Sequence, residues 1–280
     1  MKTARQSTIG LALGAGGARG FAHISVLEAL DELGLRPARI SGTSIGAIIG
    51  AGYASGLAGR EIRAHVLEVL GDRGRVLAKL MQLRPRRFKE WFARGVLNAV
   101  QLDAERIIDL FVPDSLAQDF GDLSTPLSII ATDFYGWSEC EMTEGPLRAA
   151  IAASIAFPPL FTPVIHKGRV MVDGGMVNPL PADKLAGSDI VIAVDVVSGP
   201  AQRDGREIPT PMNAIFGAAQ ILMQSIISEK LRSDRPDILL RPDVNEFRVL
   251  DFLKVRAILK AADPTKEELK RRLELILNTS

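Results

Sequence analysis

Ser44 lies in a pattern that acyl-transfer chemistry uses to present a nucleophile. The pattern is Gly42-Thr-Ser-Ile-Gly46, and it stands between a predicted strand and a predicted helix. In such a nucleophile elbow, flanking glycines permit a sharp turn that holds the serine hydroxyl outward. The alternative is a glycine-rich helix start that is capped by the hydroxyl of Ser44 or Thr43. The pattern alone leaves both interpretations open.

A glycine-rich loop, Gly14-Ala-Gly-Gly-Ala-Arg-Gly20, follows the first predicted strand and opens the first predicted helix. Backbone N–H groups in such a loop can converge on an anion, either an acyl-transfer oxyanion or a phosphate. The dinucleotide pattern GxGxxG needs glycine where Arg19 stands, and the second strand ends in Ser41-Gly42 where a ribose-binding acid would be needed. No Gly-Lys-Ser/Thr follows the glycines. The loop therefore favours an oxyanion over a nucleotide.

A carboxylate at the end of a later strand could act as the base. Asp173-Gly-Gly175 follows a predicted strand over residues 169–172. A serine becomes nucleophilic only with a base in hydrogen-bond reach, and an α/β-hydrolase triad needs a histidine after the acid. The chain contains three histidines, and none follows Asp173. The residues therefore permit a Ser–Asp dyad, in which the carboxylate takes the hydroxyl proton directly.

The elements around these motifs alternate in a way that predicts an α/β fold with a central, mostly parallel sheet flanked by helices. The first predicted elements are a strand at 8–13, a helix at 21–33, a strand at 39–42 and a helix at 45–53. A helical insertion is predicted over 59–121. Further strands are predicted at 127–132, 139–143, 164–172 and 189–197.

The C-terminal part changes in composition after residue 199. A linker with proline, glycine and charged residues precedes a predicted packing helix around 215–226, a short strand at 238–240 and a terminal helix at 266–277. We therefore predict a catalytic domain over 8–200 and a helical extension over 201–280 that packs on the same core.

Composition excludes several classes of protein. The 280 residues carry a net charge of +1, which gives no electrostatic pull toward nucleic acid. The single cysteine, Cys140, excludes an intrachain disulfide, and no ligand cluster suggests a metal or other cofactor. The apolar stretch at 9–13 is shorter than a signal h-region, and prolines interrupt the one at 149–165. We expect a cytoplasmic protein without a cofactor, while the oligomeric state stays open.

The ordered set of motifs resembles the patatin-like phospholipase family, specifically its compact bacterial members, over about residues 8–200. The matching segments are Gly14–Gly20, Gly42–Gly46, 153–163 and Asp173–Gly175. Each segment is modest alone, whereas the ordered set is specific. The resemblance implies a three-layer α/β sandwich.

The resemblance also implies roles for individual residues. Ser44 is then the nucleophile and Asp173 the base. The implied oxyanion hole is formed by the loop amides of Gly16, Gly17, Ala18 and Arg19, and Arg19 lends positive charge or structural support. The turns at the elbow and after the base depend on Gly42, Gly46, Gly174 and Gly175.

The implied reaction is hydrolysis of a lipid or acyl ester through an acyl-serine. Two segments suggest peripheral membrane contact: the basic and aromatic residues 85–94 and the apolar residues 157–161, with plain packing as the alternative for both. The apolar block 153–163 is expected to shape the wall beside the acyl chain. An acyltransferase that uses the same acyl-serine and a non-catalytic lipid-binding protein are the other hypotheses.

Overall fold

The computed structural model describes residues 7–72, 74, 76, 102–158, 160–199 and 208–279. Its strands are β1 Ile9–Leu13, β2 Arg39–Thr43, β3 Leu127–Asp133, β4 Ser138–Met142, β5 Val164–His166, β6 Arg169–Asp173, β7 Ile190–Val194 and β8 Ile238–Leu240. The helices are α1 His23–Glu32, α2 Ile45–Ala54, α3 Gly59–Leu70, α4 Ala104–Phe111, α5 Leu147–Ile155, α6 Pro211–Ser233, α7 Val255–Ala262 and α8 Pro264–Thr279.

The eight strands form one mixed sheet, whose neighbours follow the order β5-β6-β3-β2-β1-β7-β8, with β4 paired to β3. The pairs β1·β2, β2·β3, β1·β7 and β7·β8 are parallel, whereas β3·β4, β3·β6 and β5·β6 are antiparallel. The central strands are therefore parallel, as the alternation of strands and helices predicted. The carboxyl ends of β1 and β2 lie side by side because Leu13 pairs with Gly42.

Strand β3 brings the ends of β2 and β6 together. Its residues 129 and 130 pair with both β2 and β4, and its residues 131–133 pair with both β4 and β6. A strand has only two hydrogen-bonding edges, so β2 and β6 share the edge opposite β4. Parallel β2 ends at Thr43 beside Ile130, and antiparallel β6 ends at Asp173 beside Ala131. The residues that follow β2 therefore meet the end of β6.

Hydrophobic clusters on the two faces of the sheet give the fold its three layers. Alternate side chains of a strand point to opposite faces. Leu11 and Leu13 of β1 belong to the large cluster that includes residues of α1, α2, α5, α7 and α8, whereas Ala12 packs with Met223 and Ile227 of α6. Helices thus cover both faces of a central sheet, which confirms the predicted α/β architecture.

Several predicted elements differ from the observed ones. The strand predicted over 164–172 is a hairpin, because Lys167 and Gly168 both adopt positive φ and reverse the chain between β5 and β6. Helices α5 and α7 were not predicted. Most of the predicted insertion between α3 and α4 lies outside the described residues. Residues 201–207 are also outside them, so the division at 200 stays a prediction, although β8, α7 and α8 share the sheet and its core.

Candidate active site

The turn after β2 gives Ser44 an unusual backbone conformation. Its φ of 57° and ψ of −122° lie where residues with a side chain are rarely found. The flanking glycines are needed for close packing. A Cβ atom on Gly46 would lie 2.1 Å from the carbonyl oxygen of Leu13, and one on Gly42 would lie 2.6 Å from that of Gly46. The strand, turn and helix therefore form the arrangement of an elbow.

The Ser44 hydroxyl bonds to a carboxylate and does not cap the helix. Its Oγ donates to Oδ2 of Asp173 at 2.6 Å, and it makes no capping bond to α2. The Thr43 hydroxyl donates to the carbonyl of Asn178 at 2.8 Å. The alternative of a helix start capped by Ser44 or Thr43 is therefore wrong.

Asp173 is buried at the end of β6 and held at both carboxylate oxygens. While Oδ2 accepts from Ser44, Oδ1 accepts from the N–H of Gly175 at 2.7 Å. Burial raises the pKa of Asp173 to about 6, and the two hydrogen bonds offset only part of that rise. The chain turns sharply after it, because a Cβ on Gly174 would lie 2.1 Å from the carbonyl oxygen of Ile130. A hydroxyl bonded to such a carboxylate can transfer its proton to it.

The glycine-rich loop leaves two amides free to face the cavity. The N–H groups of Gly16 and Gly17 donate to no acceptor within the part of the chain that the structure describes, and both residues line the same cavity as Ser44. The N–H of Ala18 instead donates to the carbonyl of Val249 at 2.8 Å. Ala18 is thus not an available oxyanion donor in this structure, contrary to the prediction.

The buried side chain of Arg19 links the glycine-rich loop to two distant segments of the chain. Its Nε donates to the carbonyl of Phe247 at 2.8 Å, and its Nη1 donates to that of Val197. The side chain is fully buried, and desolvation lowers its pKa to about 10, with a partial offset from Asp251. Of the two roles expected for Arg19, these contacts match structural support, because the charged group bonds to carbonyls of other segments.

His23 holds the other end of the loop. It is fully buried, and desolvation lowers its pKa to about 4, so the ring is neutral near pH 7. Its Nε2 lies 2.9 Å from the carbonyl oxygen of Gly14, which can only accept a hydrogen bond. His65 bonds the carbonyl of Phe111, and His166 ends strand β5. No histidine is among the described residues that line the cavity.

The cavity beside Ser44 and Asp173 has a volume of about 410 Å³ and a largely apolar wall. Apart from those two residues, Gln220 is the one polar side chain among the described residues that line it. The apolar walls include Ile48, Ile108, Phe111, Ile155, Phe157, Leu160, Phe161, Phe216 and Met223. Of the segment 157–161, Phe157, Leu160 and Phe161 therefore contribute side chains to the cavity wall. The segment 85–94 lies outside the described residues.

Ser154 is a residue whose contact with the elbow the sequence did not reveal. Its Oγ accepts the backbone N–H of Ser44 at 2.9 Å and donates to the carbonyl of Ile130 at 2.6 Å. The hydroxyl thus links α5, β3 and the strained turn. The sequence signal was weak, because a serine in an alanine-rich helix has no spacing that points to a partner so far along the chain.

Metal-ligand groups and membrane-spanning helices were also sought among the described residues. Those residues contain no group of three or more metal-ligating side chains and no helix long and apolar enough to cross a membrane.

The sequence of this chain is similar to those of known proteins. A sequence model of patatin-like phospholipases matches residues 11–186. The chain is 38% identical over 200 residues to an uncharacterized NTE family protein of Mycobacterium tuberculosis, an alignment that covers 69% of this chain and 51% of that protein. It is 33% identical over 207 residues to lysophospholipase NTE1 of Mycosarcoma maydis, covering 68% of this chain and 10% of that protein. The chain thus spans about half or less of these relatives' length.

A solved structure shows the same fold. VipD from Legionella pneumophila superposes with a TM-score of 0.51 at 15% identity, over 95% of this chain and 67% of that chain. The family match covers well over half of the chain and includes the glycine-rich loop, the elbow and Asp173. The chain therefore belongs to the patatin-like phospholipase family.

Proposed function

We propose that this chain hydrolyses lipid esters through an acyl-serine on Ser44, with Asp173 as the base. The observation that carries the proposal is the 2.6 Å hydrogen bond from Ser44 Oγ to Asp173 Oδ2 in an apolar cavity. Family membership supports the same reaction class, and one of the relatives is named a lysophospholipase.

Acylation follows from the hydrogen bonds of the dyad. As Ser44 Oγ attacks the ester carbonyl, its proton passes to Oδ2 of Asp173, and the carbonyl oxygen gains negative charge. The free amides of Gly16 and Gly17 are the proposed donors to this oxyanion. Loss of one such donor typically costs about 100-fold to 1,000-fold in turnover. When the tetrahedral intermediate collapses, protonated Asp173 gives its proton to the leaving alcohol, and the acyl group stays on Ser44.

Deacylation reverses these roles with water. Asp173 takes a proton from a water molecule, whose oxygen attacks the acyl-serine carbonyl, and the same proton then returns to Ser44 Oγ as the fatty acid leaves. A base works best when its pKa is near the working pH. The pKa of about 6 keeps Asp173 ionised at neutral pH and makes it a stronger base than an exposed aspartate.

The cavity supports a substrate with an acyl chain. Ligand sites with a few placed polar groups in a hydrophobic wall recognise a ligand that is mostly apolar. Here Ser44, Asp173 and the free loop amides provide the polar part, whereas Phe157 and Phe216, stacked with ring centroids 5.4 Å apart, belong to the apolar wall.

The test is turnover of p-nitrophenyl butyrate and of a lysophospholipid by the purified protein. Ser44→Ala should reduce both by at least about a thousandfold. The matched control Ser225→Ala removes an exposed hydroxyl outside the cavity and should keep full activity. A fluorophosphonate should label the wild type but not Ser44→Ala. Undiminished turnover by folded Ser44→Ala would contradict the dyad, and product analysis with an added alcohol separates hydrolysis from acyl transfer.

A further inference from the structure

Helix α6 has an amino-acid composition that does not fit its place at the surface. No charged residue occurs from Pro211 to Ser228, and the first is Glu229. The helix is not apolar all round, because Asn213, Ser225 and Ser228 are exposed polar residues. Its outer face nevertheless exposes three large apolar side chains, Ile215, Ile221 and Leu222, by 49%, 56% and 64%. An exposed apolar patch of this kind is typical of an interaction surface. Something outside the described residues is therefore expected to cover this face.

The inner face of the same helix forms part of the cavity wall. Phe216, Ala219, Gln220 and Met223 line the cavity, and Met223 would contact a Cβ placed on Gly175 beside the dyad. A single helix thus separates the proposed reaction site from an exposed apolar surface. Whatever covers the outer face of α6 lies within one helix diameter of the acyl-chain site.

The segment 248–254 borders the same cavity and adds both apolar and basic groups. Leu250 lines the cavity while 45% of it is exposed, and nearby Leu253 is exposed by 44%. Arg248 and Lys254 are also exposed. Asp251 bonds Lys254, which leaves the segment 248–254 with a net charge of +1, while the flanking exposed residues Glu246 and Arg256 offset each other. Basic side chains beside exposed leucines complement a surface that is apolar inside and anionic outside.

We propose that the outer face of α6 (Met212, Ile215, Ile221 and Leu222) together with segment 248–254 docks on an anionic lipid surface, which places the cavity at the lipid from which it draws substrate. This inference rests on the proposed function, but vesicle binding can be measured without any turnover. A purely apolar protein partner would not account for the basic groups beside the cavity, and sedimentation tests for a second copy of the chain.

Vesicle binding tests the docking surface in the inactive Ser44→Ala background. Flotation is measured with phosphatidylcholine vesicles and with vesicles that also contain phosphatidylserine. The protein should bind the anionic vesicles more tightly, and added salt should reduce that preference. Ile215→Gln/Leu222→Gln changes no residue that lines the cavity and should weaken binding by about tenfold. In the protein with Ser44 intact, the same double variant should hydrolyse a soluble short ester at the wild-type rate.

Two further variants complete the design. Arg248→Gln/Lys254→Gln should remove most of the preference for phosphatidylserine while weak binding to neutral vesicles persists. Trp137→Ser is the matched control, because Trp137 is 90% exposed but does not line the cavity, and it should leave binding unchanged. If the α6 variant fails to fold, the charge variant and the salt dependence decide.

Specific results would overturn the proposal. They are absence of vesicle binding, binding that is unaffected by the α6 and charge variants, or a larger loss from Trp137→Ser. Sedimentation that shows a dimer dispersed by Ile215→Gln/Leu222→Gln, without vesicle binding, would assign the face to self-association. If a fluorophosphonate labels the protein with Ser44 intact but the vesicles do not bind, only the docking surface is rejected. If the vesicles bind but the fluorophosphonate does not label the protein, only the proposed function is rejected.

Discussion

Replacing Asp173 with asparagine should stabilise the folded protein at neutral pH while it abolishes ester hydrolysis. The carboxylate is buried, and its pKa is raised from 3.8 to about 6 by desolvation. Because the folded pKa lies above the unfolded one, ionisation of Asp173 removes stability from the wild type as pH rises through this window. One pKa unit corresponds to about 1.4 kcal/mol, so ionising Asp173 costs the folded state about 3 kcal/mol. Asparagine avoids this cost.

The amide can keep the hydrogen bonds of the carboxylate. Its Oδ1 accepts from Gly175 as before, and its Nδ2 can donate to Ser44 Oγ in place of the present bond. The gain in stability should be near zero below about pH 4, grow toward pH 6 and stay constant above it. For a chain of this size, about 3 kcal/mol corresponds to a rise in Tm of roughly 6–12 °C.

Thermal and urea unfolding from pH 4 to pH 8, followed by circular dichroism, measure the effect. Asp183→Asn is the opposite control. Burial raises the pKa of Asp183, but hydrogen bonds from Asn178 and Lys230 outweigh it and the pKa is lowered. This control should therefore destabilise the protein at neutral pH. A difference between Asp173→Asn and the wild type that does not vary with pH, or a destabilised variant at pH 8, would refute the reasoning.

Three other predictions concern the same site. The pH profile of kcat/KM for p-nitrophenyl butyrate should rise to a plateau with a pKa of about 6, because Asp173 must be ionised, and a profile flat from pH 5 to 8 would argue against it as the base. Ser154→Ala leaves the Ser44 N–H without its acceptor, so it should cost about 2 kcal/mol of stability and slow fluorophosphonate labelling; wild-type labelling would mean that the contact is dispensable. Burial lowers the pKa of His23 to about 4, so His23 should contribute a loss of stability as pH drops from 6.5 toward 4, opposite in sign to the contribution of Asp173. The stability of His23→Gln relative to the wild type should therefore rise as pH is lowered through this range, and a difference that does not vary with pH would contradict this role.

The local chain segments of the site could be predicted because their signals are local. The pattern at residues 42–46, with the short predicted strand before it and the apolar residues after it, located β2 and α2 to within one residue of their observed bounds. The glycine-rich loop was expected to present amides to an anion, but which amides are free depends on distant carbonyls. Ala18 bonds Val249, and no spacing near Ala18 indicates that partner. The helix α5 was missed because its alanines and the prolines that follow it give no clear helical period.

The sequence by itself determined the types of reactive groups and their order: a serine on a tight turn, bare amides before it, and an acid after a late strand without a following histidine. Only the tertiary structure decided which groups meet. Ser44 and Asp173 are 129 residues apart, and they meet because β2 and β6 end on the same edge of β3. Likewise, the sequence predicts α6 as a packing helix, whereas the fold places one of its faces on the cavity and leaves the other exposed. Register along a sheet and the exposure of a helix face depend on contacts between distant segments, which local periodicity does not encode.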